Sequence, residues 1–176
     1  MALWVVDKEK STLTFSGDQA GTAFHGRFYR FTPSIVFSPR HLSDDSSMEQ
    51  SHIKVVVDMA SAHTGDKVYD GSLSGAEWLH VAAFPEAVFE TTKLRATGGV
   101  DKEGIENYEA QGKLTLLGIS KDIILPFSLK REGAVTHASG DITLKRLDFG
   151  IGEKVDSKAA WVGNDIHVRF DVYAHP

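Results

Sequence analysis

A two-residue alternation runs through most of the chain and restricts its fold more than any other feature. Near the C-terminus, Ile166, Val168, Phe170, Val172 and Ala174 interleave with His167, Arg169, Asp171 and Tyr173. Successive side chains of a strand point to opposite faces, so this segment has one apolar and one polar face. The same pattern places Leu13 and Phe15 on one face, and Ile53, Val55, Val57 and Met59 on another. Tyr108, Ala110, Gly112, Leu114 and Leu116 form a third such row, and Gly140, Ile142 and Leu144 a fourth. The stretch 112–127, GKLTLLGISKDIILPF, reads as a hairpin. Leu114 and Leu116 lie on its first strand, Ile123, Leu125 and Phe127 on its second, and residues 118–122 form the turn. Pro126 has no N–H and favours a sheet edge, a strand end or a bulge.

Three further stretches complete the reading, the first of them aromatic-rich and strand-like. In AFHGRFYRF, 23–31, Phe24 and Phe28 share a face with Gly26 between them. A strand glycine marks a bulge, a bend or a close approach by another group. Residues 42–50 read as a polar surface connection. Residues 61–84 begin as a polar connection and then show helical spacing. Ser74 and Glu77 match a capping box, Leu79, Ala82 and Ala83 share a face, and Pro85 follows. This spacing predicts one short helix at about 76–84. The remainder predicts eight or nine antiparallel strands in one domain spanning 1–176. An eight-stranded antiparallel sheet closes into a barrel whose interior is filled by side chains or holds one small ligand.

Composition narrows the function. A formal charge of −5 and a pI near 5.9 lack the footprint of a nucleic-acid binder. No apolar run approaches the ~20 residues that span a bilayer. The absence of cysteine excludes a disulfide framework, a thiol nucleophile and cysteine metal sites. No GxSxG, HExxH or phosphate loop occurs, and Gly150-Ile151-Gly152 lacks the rest of a dinucleotide fingerprint. His63 with Asp66 and Asp70 is the one set that could form a metal or acid–base site, against the plainer reading of a polar loop. The expectation is no catalytic residue, no metal and no cofactor. MALWVVDKEK shows no basic region followed by a long apolar stretch, so no secretory leader is visible.

Several motifs occur in a fixed order: Trp4-Val5-Val6-Asp7, His25-Gly26-Arg27-Phe28, Glu77-Trp78-Leu79-His80-Val81 with Phe84-Pro85, Val88-Phe89-Glu90-Thr91-Thr92, the hairpin sequence LTLLGISK, and RLDFGIG at 146–152. Together they resemble the YceI family of bacterial lipid- and polyisoprenoid-binding proteins, over nearly the whole chain. The resemblance implies a lipocalin-like, eight-stranded antiparallel barrel with one helix across part of it. It also implies an apolar cavity for an isoprenoid, an isoprenoid quinone or a related long-chain amphiphile, bound, carried or stored without chemical change. The expected lining is Leu13, Phe15, Phe24, Phe28, Val55, Val57, Trp78, Leu79, Leu114, Leu116, Phe127, Ile142, Phe149 and Phe170. For the polar head the candidates are Arg27 and Arg146, with Asp148 orienting Arg146; the plainer reading of these is structural ion pairs or solvated charges. Residues 61–84 are a natural lid. Homodimerisation fits the resemblance. The implied compartment is the periplasm if a leader has been removed, and otherwise the cytoplasm. Two other readings compete: a small enzyme acting on a hydrophobic substrate, and a structural barrel with a filled core.

Overall fold

Each alternating segment forms a strand. The computed structural model describes residues 3–37, 51–98 and 100–176; the polar connection expected at 42–50 lies outside the described residues. In chain order the strands are β1 (Val5–Val6), β2 (Thr12–Gln19), β3 (Thr22–Phe28), β4 (Phe31–Val36), β5 (His52–Asp58) and β6 (Ala62–His63). Helix α1 (Lys67–Leu73) follows, then β7 (Glu86–Ala96), β8 (Ile105–Leu116), β9 (Ile119–Glu132), β10 (Val135–Lys145) and β11 (Asp165–His175). The strands make one antiparallel sheet in the order β4-β5-β7-β8-β9-β10-β11-β2-β3-β6, with β1 on β11.

The two ends of that order are joined through a bend. β3 and β4 are halves of one stave, and β5 and β6 are halves of its neighbour. At the bend Tyr29 N–H donates to the Ser61 carbonyl (3.1 Å), and Asp58 N–H to the Arg30 carbonyl (3.0 Å). The Ser61 hydroxyl accepts from Arg30 N–H (3.0 Å) and donates to the Asp58 carbonyl (2.6 Å). Asp58 also caps the short 3₁₀ turn Met59–Ser61 that bends the second stave. Counted this way, eight staves surround a lipocalin-like barrel, as the resemblance implied.

Two local expectations are corrected. The helix lies at Lys67–Leu73, not at 76–84. Asp66 caps it, accepting from Val68 N–H (2.9 Å) and Tyr69 N–H (3.1 Å). Ser74, expected to start a helix, ends this one, donating its N–H to the Asp70 and Ser72 carbonyls. Residues 76–84 form nested turns, because His80 has a φ of 46°, outside the right-handed helical region. The β8–β9 turn is also shorter than expected. It consists of Leu117 and Gly118 alone, with φ of 50° and 75°, the pair of positive angles of a type I′ turn. Ile119–Asp122 are already strand.

The interior divides along the barrel axis. One end holds Phe37, Phe89, Leu94, Tyr108, Ala110, Phe127 and Leu129, all buried, with Trp4, Val55, Leu114 and Phe170 packed against them. Tyr108 stacks on Phe127 at 5.3 Å and meets Phe37 edge-on at 5.3 Å. Only about 50 Å³ of free volume is left beside this cluster. The other end centres on Phe15, Met59, Ala62, Leu79 and Ala87, and it is open.

Candidate functional site

At the open end lies a cavity of about 420 Å³. Its walls come from the inward rows of the strands: Phe15 from β2, Phe24 and Phe28 from β3, Leu116 from β8, Leu144 from β10, and Ile166 and Val168 from β11. Phe15 and Phe28 touch with ring centroids 5.0 Å apart. Gly26 explains how these rings fit. It is the cross-strand partner of Phe15, and the Phe15 ring occupies the space a Cβ would need. Gly17 stands in the same relation to Phe24. The strand glycine at 26 thus marks a close approach, one of the three meanings its position allowed.

Helix α1 and the turns after it close one side. Tyr69, Ser72 and Leu73 face the cavity at the i, i+3, i+4 spacing of one helix face. Trp78 and Leu79 line it from the turns. The mouth is marked by lining residues that also meet solvent: Val68 at 83% exposed and Trp161 at 59%. Asp66 and Gln19 complete this rim.

Arg146 sits in the wall, 2% exposed. Its guanidinium donates to the carbonyls of Ile151 (2.8 Å), Val162 (2.7 Å), Gly163 (3.2 Å) and Asp156 (3.2 Å). It also pairs with the Asp156 carboxylate at 2.9 Å and lies 5.3 Å from the Trp78 ring centroid. Burial pushes its pKa down, and Asp156 pushes it back up. The Asp156 carboxylate in turn accepts N–H groups from Val162 (2.8 Å), Trp161 and Ala160. These bonds, that of Val162 first, and the Arg146 charge hold it below the usual carboxylate range. The pair therefore organises the loop between residues 150 and 163, which has no strand of its own, and so sets the rim that carries Trp161.

A family model for the YceI-like domain matches residues 4–174. The chain belongs to the YceI-like family. It is 32% identical over 135 residues to the UPF0312 protein of Yersinia pestis (strain Pestoides F), covering 72% of this chain and 62% of that one. The match thus spans under two thirds of the length of that relative. A UPF0312 protein of Pseudomonas savastanoi pv. phaseolicola is 30% identical over 157 residues, covering 84% of this chain and 76% of the relative. Among solved structures, Burkholderia cenocepacia BcnA superposes with a TM-score of 0.85 at 24% identity, covering 96% of this chain and 99% of BcnA. A polyisoprenoid binding domain from Saccharophagus degradans gives a TM-score of 0.73 at 16% identity, over 98% and 97% of the two chains. At such identities these two likenesses speak for the shared fold.

The YceI-like barrel divides the residues expected to line a cavity into groups. Phe15, Phe24, Phe28, Trp78, Leu79, Leu116 and Phe149 line it, with Arg146. Val55, Leu114, Phe127 and Phe170 belong to the packed end. Val57 packs beneath the cavity against the cluster that includes Met59. Leu13 and Ile142 point inward, opposite Phe170 and Val168, and are half-buried without lining the cavity. The alternation assigned the correct face to all of these, but a face alone does not say which end is full.

The head-group candidates need correction. Arg27 pairs in register with Thr14, beside Phe15 and Gly26, so it points to the outer face, away from the cavity. Its guanidinium rests on Tyr29, 4.7 Å from the ring centroid. Asp148 is exposed and does not orient Arg146; Asp156 does. Nor do His63, Asp66 and Asp70 form a metal set. Asp66 is the α1 cap, and Asp70 accepts from the Thr64 N–H (2.7 Å) and hydroxyl (2.6 Å) while pairing with His63 at 3.4 Å. Among the described residues no three His, Asp or Glu side chains converge as a metal site, and no helix is long and apolar enough to cross a membrane.

Sequence reading missed Tyr69, Leu73, Leu144, Ile151, Val162, Ile166 and Val168 as lining residues. Leu144, Ile166 and Val168 were in phase with rows already recognised. The spacing of Tyr69 and Leu73 was legible too, had Asp66 been read as a helix cap rather than as part of a polar loop.

Proposed function

We propose that this chain binds the apolar tail of an isoprenoid or another long-chain amphiphile in the open end of its barrel and holds it without chemical change. One observation carries the reading: an aromatic and aliphatic cavity of about 420 Å³ that opens to solvent beside Val68 and Trp161. That volume falls within the ~300–1,000 Å³ of small-molecule sites. A five-carbon unit buried there contributes about 3–4 kcal/mol at ~0.8 kcal/mol per methylene, against association costs of several kcal/mol. About four buried units, about 12–16 kcal/mol gross, therefore suffice for micromolar binding, which needs about 8 kcal/mol net. The family and its polyisoprenoid-binding structural neighbour support a binding role over a catalytic one. The packed end gives the alternative of a filled structural barrel only half of the interior.

Native mass spectrometry of the purified protein, followed by organic extraction, tests this. The expected result is a co-purified or readily loaded amphiphile that is recovered unmodified. A protein that is empty and takes up neither prenols nor isoprenoid quinones would overturn it.

A further inference from the structure

The charged groups around the cavity are already committed. Four of the five N–H donors of Arg146 are used by its carbonyl and carboxylate acceptors and its charge is paired with Asp156, which leaves one Nη1 hydrogen and no pair of parallel donors for a ligand anion. Arg27 lies on the opposite face of its strand. The other charged lining residue is Asp66, an anion at the rim. Uncharged polar side chains are placed differently. Tyr69, Gln19 and Ser72 line the cavity, and among the described residues none of their side-chain polar atoms has a protein hydrogen-bond partner. Tyr69 is packed against Phe24, ring centroids 5.6 Å apart, which holds the phenol in the wall. Burial also raises the phenol pKa, so the hydroxyl keeps its proton and donates.

From this arrangement, and resting on the binding role proposed above, we infer that the cavity selects amphiphiles with a neutral hydrogen-bonding head and discriminates against the same tail carrying a phosphate. The Tyr69 hydroxyl and the Gln19 amide receive the head at the rim, and Asp66 repels an anion there. Among the described lining residues the one cation, Arg146, is already paired with Asp156, and removing an anionic head from solvent uncompensated is costly. A hydroxyl or carbonyl head finds both a donor and an acceptor within the wall.

The test uses one tail with two heads: geranylgeraniol and geranylgeranyl monophosphate, titrated into the intact protein and read by quenching of the Trp78 and Trp161 fluorescence. The alcohol is expected to bind about tenfold tighter or more, an effect of the size expected for one like-charge contact at a solvated rim. Tyr69→Phe should weaken the alcohol about three- to tenfold, the worth of one hydrogen bond, and leave the phosphate unchanged. Asp66→Asn, which preserves the helix cap, should tighten the phosphate and narrow the gap. Equal or tighter binding of the phosphate to the unmodified protein overturns the inference and leaves the binding role standing. So does a selectivity that neither substitution moves. Failure of both compounds to bind overturns the binding role itself, and the inference with it.

Discussion

The two ends of the barrel are made from the same staves, and often from the same strand. On β8, Tyr108 and Ala110 lie in the packed end and Leu116 lines the cavity; on β11, Val172 borders the packed end and Val168 lines the cavity. What differs is the volume left between the rings, about 420 Å³ at the open end and about 50 Å³ in the cleft beside the packed cluster. At the packed end Trp4, Phe37, Tyr108 and Phe127 form a chain of ring contacts at centroid distances of 5.3 to 6.4 Å, the Tyr108–Phe127 pair being cross-strand partners. At the open end Phe15 and Phe24 lie over the glycines opposite them, Gly26 and Gly17. Hydrophobic alternation decides what faces inward, but a cross-strand glycine does not by itself keep the interior open, because Phe170 at the packed end lies over Gly140 in the same way.

Four substitutions or conditions break or sharpen this contrast. Arg146→Met has the largest effect, because it strands the Asp156 carboxylate and several carbonyls; a loss of about 3–5 kcal/mol is expected in urea unfolding. Phe127→Ala, at the packed end, should cost about 3–4 kcal/mol and leave geranylgeraniol affinity unchanged. Leu116→Ala, at the open end, reverses that pattern. It should cost only about 1–2 kcal/mol, since the side chain already faces a void, while affinity falls about tenfold. If Phe127→Ala and Leu116→Ala shift affinity equally, the two ends are not functionally distinct.

The smallest effect is one of pH. The Asp156 carboxyl is held below its usual range in the folded state, so the stability it contributes is present above the unfolded value of ~3.9 and is lost as pH falls through the lower folded value. Trp161 fluorescence should therefore be flat from neutrality to about pH 5 and change only below about pH 4. Asp156→Asn should abolish that acid transition.

The strands and the inward rows were legible because a period of two leaves a regular trace in sequence. Part of the cavity lining followed from it: Phe15, Phe24, Phe28 and Leu116. What was not legible depended on contacts between distant segments. Arg146 and Asp148 are two residues apart, which made them look like partners; the actual partner, Asp156, lies in a loop whose path is set by carbonyls that no side-chain pattern reveals. Arg27 was ascribed to the cavity although its neighbours Gly26 and Phe28 already fixed its side chain on the other face. The helix was displaced because Ser74 and Glu77 satisfy a capping pattern, while the positive φ at His80 comes from the turn packing and has no sequence mark of its own.

The place of β11 in the sheet has a consequence for how the chain acquires its structure. It lies between β10 and β2, and it also carries β1. The first strands thus wait for the last, and no complete wall exists on the ribosome until Asp165–His175 has emerged. Until then β2 and β10 expose unpaired edges, and the apolar rows of both ends face water together. Pairings of such long sequence separation are slow to form and open to aggregation.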